Sequence, residues 1–170
     1  MRLYLVRHAI AVPHGTLGFA QDAKRPLTNE GQQQARDIGA GLKRLKISMD
    51  TIATSPYVRA KQTAEALAEV LGHGIPLKAL EELRAETAPD ATSLALKALS
   101  GCEHLMLVGH EPHLSAWMGL LVAGREELHC VMKKGSVACV EIEQVPPPAG
   151  SGTLRWLMTS KQLALIGRAA

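Results

Sequence analysis

Two short stretches constrain this chain most: residues 3–6 (Leu-Tyr-Leu-Val) and residues 104–108 (His-Leu-Met-Leu-Val). Both are apolar almost without a break, and each runs directly into polar residues. A strand that is apolar at successive positions has no solvent face, so it fits the interior of a parallel sheet covered by helices on both sides. Helix signals occur where such a sheet needs them. Thr28 is an N-cap, and Ala35, Ile38, Leu42 and Leu45 recur behind it at helical spacing. Residues 50–54 form a short β-type run, 57–71 read as a helix, and 75–80 read as a further short strand. Pro89 opens a helix through Leu99 that Ser100-Gly101 stops. Pro112 opens another, whose Leu114, Trp117 and Leu121 form a stripe before Gly124. Late in the chain, 136–143 and 153–158 are rich in β-formers on either side of a Pro- and Gly-rich segment, 145–152. That pattern predicts an antiparallel hairpin. The expected architecture is α/β, a mainly parallel central sheet flanked by helices on both faces with a late antiparallel hairpin. Residues 1–170 read as a single domain.

Composition narrows the function. Apolar residues make up 46% of the chain and charged residues 21%, which excludes disorder. Aromatics at 3% are too few for modules that stack bases, and a net charge of +3 is too mild for a nucleic-acid or membrane footprint. It does suit a small anionic ligand. Three cysteines without C-x-x-C spacing predict no disulfide framework. No apolar run is long enough to span a membrane, and Arg7-His8 interrupts the first one too early for a secretory segment. The expected setting is cytoplasmic and reduced, with neither a nucleic acid nor a membrane as partner.

The unusual polar residues fall at strand ends. Arg7-His8 follows the first strand, Ser55-Pro-Tyr-Val-Arg59 the second, and Gly109-His110-Glu-Pro112 the strand at 104–108. In an open parallel sheet the carboxyl ends of the strands share one edge, and ligands bind in the crevice there. Two histidines and two arginines remote in sequence are therefore expected to meet. Each alone has an ordinary explanation as a solvated or structurally paired residue. Three clusters on one edge do not share it. Arginines gathered without a counter-ion are costly, so an anion is implied, and guanidinium forks suit phosphate oxygens.

These motifs resemble the histidine phosphatase superfamily, the phosphoglycerate-mutase-like fold. The resemblance lies in Leu5-Val-Arg-His8-Ala9, Arg25-Pro-Leu-Thr28 with Gly31, and Ser55-Pro-x-x-Arg59-Ala-x-Gln62-Thr63. It continues in Leu80-x-Glu82 and Val108-Gly-His110-x-Pro112. It covers essentially the whole chain and is strongest toward the short SixA-type phosphohistidine phosphatases. One departure is Ala9 in place of the family's glycine, harmless unless that position requires positive φ. The other is Ile10, where polar or acidic residues are common in small members.

The resemblance implies phosphoryl transfer through a covalent phosphohistidine on His8. Arg7 and Arg59 are expected to keep His8 neutral and, with His110, to bind the phosphate oxygens. No metal or other cofactor is called for, since the guanidiniums take the place Mg²⁺ often fills. The resemblance points to Glu82 as general acid, with Glu81, Glu86 and Asp90 as nearby competitors. Phosphohistidine expels imidazole and has less need of a strong acid than an alkyl phosphate. Arg25 either reaches the phosphate or pairs with Asp22, while Ser55, Gln62 and Thr63 are expected to orient Arg59. His110-x-x-His113 has ligand-like spacing but lacks a third ligand. The remaining histidines, His14, His73, His104 and His129, read as surface or loop residues. Gly15–Gly18 lacks the Lys-Ser/Thr of a P-loop. The intervals between motifs show no spare segment for a lid, which favours an open cleft and a protein-borne phosphate. Three functions remain open: a phosphatase acting on a phosphohistidine-bearing protein, a phosphatase or mutase acting on a phosphorylated small molecule, and a non-catalytic phosphate-binding module.

Overall fold

In the computed structural model, which describes residues 1–169, six strands form one sheet in the order β3-β2-β4-β1-β5-β6. The strands are β1 (Arg2–Arg7), β2 (Thr51–Thr54), β3 (Leu77–Ala79), β4 (His104–Gly109), β5 (Val137–Glu141) and β6 (Thr153–Met158). The first four in sheet order run parallel. β5 joins β1 antiparallel, and β6 completes the expected hairpin. The helices are α1 (Asn29–Arg44), α2 (Val58–Leu71), α3 (Pro89–Ala95), α4 (His113–Ala123) and α5 (Ser160–Arg168).

Most elements follow the sequence pattern. Thr28 caps α1 by accepting the Gly31 N–H, and Gly124 ends α4 in the left-handed conformation that glycine adopts freely. Three details differ. The helix from Pro89 tightens into a 3-10 turn at Leu96–Leu99 instead of continuing as α-helix. Pro112 caps α4 and lies just outside it. The sequence pattern did not anticipate α5, although Thr159 and Gln162 form a reciprocal capping box at its start.

Alternation along the buried strands builds two cores. Leu3, Leu5, Leu105 and Leu107 pack with Trp117, Met118 and Leu121 of α4 on one face. Tyr4, Val6, Met106 and Val108 pack on the other with Ile38 and Leu42 of α1, Leu67 of α2 and Leu163 of α5. Each fully buried Leu or Met contributes about 1.5–3 kcal/mol. Continuous apolarity in β1 and β4 thus reflects two helical layers, each claiming alternate residues.

Candidate active site

Register brings the three polar clusters to one level. Arg7 pairs with Gly109 across β1 and β4, and Thr54 pairs with Val108 across β2 and β4. The first residues beyond the strands stay tied to the sheet: the His8 N–H donates to the Gly109 carbonyl at 3.0 Å and the Ser55 N–H to the Val108 carbonyl at 2.9 Å. His8 and His110 are both buried, and their ring centroids lie 5.1 Å apart. Arg59, in the first turn of α2, reaches back with Nε 3.1 Å from His8 Nε2. A cation is disfavoured at a helix N-terminus, so its place there is not explained by helix stability. Arg7 turns to donate Nη1 to the Met132 carbonyl at 2.7 Å.

The partners of His8 fix its tautomer. Nδ1 lies 2.7 Å from the Ala9 carbonyl, which can only accept, so the ring proton sits on Nδ1. The Arg59 Nε–H can only donate, so Nε2 carries the lone pair. Burial, reinforced by the charges of Arg59, Arg7 and Lys134 and opposed by the bond to Ala9, lowers the His8 pKa to about 3. Burial, then the charges of Arg59 and His8, lowers that of His110 to about 2. The arginines do favour the neutral ring, as the sequence suggests, but desolvation is the larger cause.

One inference from sequence needs correction. Arg59, though not Arg7, does have a counter-ion. Asp22, in a 3-10 turn at Asp22–Lys24, accepts from Arg59 Nη2 through Oδ2 at 2.9 Å and through its carbonyl from Nη1 at 2.8 Å. Its Oδ1 accepts from Arg25 Nε at 2.8 Å, so Arg25 takes the alternative of pairing with Asp22. The interval after His8 is thus not idle, since it carries this carboxylate to the site. The i, i+3 spacing of Asp22 and Arg25 signals their pairing, but nothing in sequence links Asp22 to Arg59, 37 residues on.

Of the residues expected to orient Arg59, only Thr63 touches it, its Oγ1 donating to the Arg59 carbonyl at 2.7 Å, and all three have other partners. Ser55 Oγ lies 2.9 Å from His110 Nε2, Thr63 Oγ1 accepts the Ala9 N–H at 3.1 Å, and Gln62 accepts the Leu27 N–H at 2.7 Å. Tyr57 also belongs to the cluster, with its ring 4.9 Å from His110 and 5.0 Å from the Arg59 guanidinium carbon. His113 points elsewhere, its ring nitrogens lying 3.0 Å from Thr92 Oγ1 and 2.9 Å from the Thr87 carbonyl. His14, His73 and His129 are exposed, whereas His104 begins β4 and bonds the Tyr4 hydroxyl.

Glu82 lies half-buried in the turn Glu81–Leu83 beyond β3, and no hydrogen bond or ion pair ties its carboxylate down among the described residues. Its competitors are committed. Glu81 pairs with Arg84, Asp90 Oδ1 accepts the neighbouring Ala91 N–H at 2.9 Å, and Glu86 accepts from the Tyr57 hydroxyl at 3.1 Å.

The turn after β1 is shaped by α1. The Ile10 carbonyl accepts the Thr28 N–H, and the backbone passes so close to Gly31 that a Cβ there would sit 1.9 Å from that oxygen. Ala9 does not adopt positive φ, so it fits where the family has glycine.

The family model of the histidine phosphatase superfamily (branch 1) matches residues 3–90. An uncharacterised protein of Picosynechococcus sp. is 34% identical over 152 residues, covering 81% of this chain and 82% of its own. The phosphohistidine phosphatase SixA of Escherichia coli K12 is 27% identical over 167 residues, covering 97% and 98%. Among solved structures, the protein histidine phosphatase SixA complexed with tungstate superposes with a TM-score of 0.83 at 27% identity, over 96% of this chain and 99% of that one. The α-ribazole phosphatase of Shigella flexneri, 19% identical over 94% and 97%, shares the fold with a TM-score of 0.74. With its motifs converged at one sheet edge and the family model matching half its length, this chain belongs to the histidine phosphatase superfamily.

Proposed function

We propose that the protein hydrolyses phosphohistidine on another protein through a covalent phosphohistidine on His8. The observation that carries this reading is the state of that ring: buried, neutral, with its proton held on Nδ1 by the Ala9 carbonyl and its lone pair on Nε2 among the cations of the cluster. A recognition module has no use for a lone pair held in one tautomer, since arginine grips phosphate better than neutral imidazole does.

In the first step Nε2 attacks phosphorus in line, and the bond from phosphorus to the substrate nitrogen breaks. The departing imidazole takes that electron pair and a proton that solvent or Glu82 can supply, so it depends on Glu82 less than an alkoxide would. Water then attacks the phosphohistidine, the Nε2–phosphorus bond breaks, and inorganic phosphate leaves. Arg7, Arg59 and His110 bind the phosphate oxygens, and the two guanidiniums offset their charge, the dominant contribution in phosphoryl transfer. Arg7 Nε and His110 Nδ1 are buried without a hydrogen-bond partner among the described residues, which suits a group rich in oxygens. The tungstate held by the SixA relative, an oxyanion of phosphate-like shape and charge, supports the same reading, as does that relative's activity on phosphohistidine.

The test is a hydrolysis panel. A phosphohistidine-bearing protein and several small phosphate esters are offered to wild type and to His8→Ala. Preference for the protein, lost in His8→Ala, is expected. A preference for a small ester would shift the substrate to phosphorylated small molecules. Undiminished turnover in His8→Ala would remove the mechanism.

A further inference from the structure

The proposed nucleophile is covered by its own neighbour. Arg59 directs Nε–H at His8 Nε2 from 3.1 Å, so the lone pair that must reach phosphorus is already engaged. The guanidinium is held in that pose from the far side, where Nη1 meets the Asp22 carbonyl and Nη2 meets Oδ2. Asp22 is anchored in turn through Oδ1 by Arg25, whose Nη1 also donates to the Val12 carbonyl. The Asp22 side chain is 39% exposed and that of Arg59 only 5%, so the carboxylate lies on the solvent side of the pair. Burial pushes its pKa up, but hydrogen bonds and charge from Arg25 and Arg59 outweigh it and keep it below the ordinary carboxylate value.

We infer that Asp22 is an internal anion that latches Arg59 across His8 Nε2 and must be displaced when the site takes up a phosphate. The inference rests on the phosphatase reading. A phosphate oxygen and the Asp22 carboxylate compete for the same N–H groups, and their like charges repel. Phosphate gains Arg59 only by breaking that pair, and in doing so it frees the lone pair for attack. When phosphate leaves, the latch re-forms and opposes its return. Asp22 therefore lowers affinity for inorganic phosphate, whereas a protein-borne phosphate can draw on contacts beyond the phosphate to open the latch.

Two measurements test this. Calorimetric titration with inorganic phosphate is run on wild type, Asp22→Asn, Asp22→Ala and Asp22→Glu, with folding checked by thermal melts. In parallel, carbethoxylation of His8 without phosphate is followed by mass spectrometry of its peptide. Asp22→Asn is expected to bind phosphate about tenfold more tightly, the scale of one charge-assisted hydrogen bond. Its His8 should also react several-fold faster, while Asp22→Glu stays near wild type on both readouts. A residue that merely props up Arg59 gives the opposite sign, weaker phosphate binding. His8 reactivity no faster in either Asp22→Asn or Asp22→Ala overturns the latch. If instead no variant binds phosphate yet His8 still reacts faster in Asp22→Asn, the latch stands and the phosphatase reading falls.

Discussion

A histidine side chain in water titrates near pH 6.5 and loses its nucleophilic lone pair to a proton through much of the acidic range. His8 escapes that competition through burial first and neighbouring cations second, which bring its pKa to about 3. With His110 at about 2, neither ring of the free enzyme titrates between pH 5 and 8. The kcat/KM profile, corrected for ionisation of the substrate, is therefore expected to be flat across that window. An acidic limb centred near pH 6.5 would contradict the buried, neutral pair. Glu82 is testable at the same scale, because its carboxylate is free while Glu81, Glu86 and Asp90 are committed. Glu82→Gln is expected to slow hydrolysis of alkyl phosphates by about 100-fold or more, the usual worth of a positioned general acid, and to spare phosphohistidine turnover. Equal losses on both substrates would refute this division of roles.

At the scale of elements, the turn after β1 positions His8, the proposed nucleophile, and Gly31 of α1 sets that turn. A methyl at Gly31 would press within 1.9 Å of the Ile10 carbonyl, a backbone atom that cannot move aside without shifting His8, two residues earlier. Gly31→Ala is expected to cost about 2 kcal/mol or more in urea unfolding and to reduce turnover with it. A stable variant with normal activity would mean that the turn is not held this way. Much of this level is legible in sequence, because β1, β4 and the cap at Thr28 follow from apolar runs and a side-chain oxygen placed ahead of a periodic stripe. Asp22 is not legible as a partner of Arg59, since a pairing made only by tertiary folding leaves no periodic trace. Ser55, Gln62 and Thr63 were likewise visible as motif members, but their partners, His110, Leu27 and Ala9, depend on how β2 and α2 pack against the turn after β1. The capping box of α5 was readable and is the clearest missed signal.

For the whole molecule, the parallel arrangement of β2, β4 and β1 gathers remote segments at one edge, and the gathering has an energetic cost. Unfolding lets His8 and His110 take up protons below pH 6.5 that the folded state refuses until about pH 3 and pH 2. The unfolded chain thus binds more protons throughout that interval, so stability falls as the pH drops. Between pH 7 and 5 the loss is about 2 kcal/mol for each ring. Urea unfolding at the two pH values should show it, together with the share of His113, whose pKa burial also lowers, and His110→Asn should remove one ring's share. Equal stability at both values would mean that the rings are not buried in neutral form. Convergence itself is tested most directly by trapping the intermediate. A phosphohistidine-bearing protein is mixed with the enzyme, the reaction is quenched within a turnover, and the phosphoryl group is located by mass spectrometry under alkaline conditions. An acid-labile phosphoryl group on His8, absent from His8→Ala, is the expected result. A phosphoryl group on any other residue, or full turnover by His8→Ala, would contradict the account.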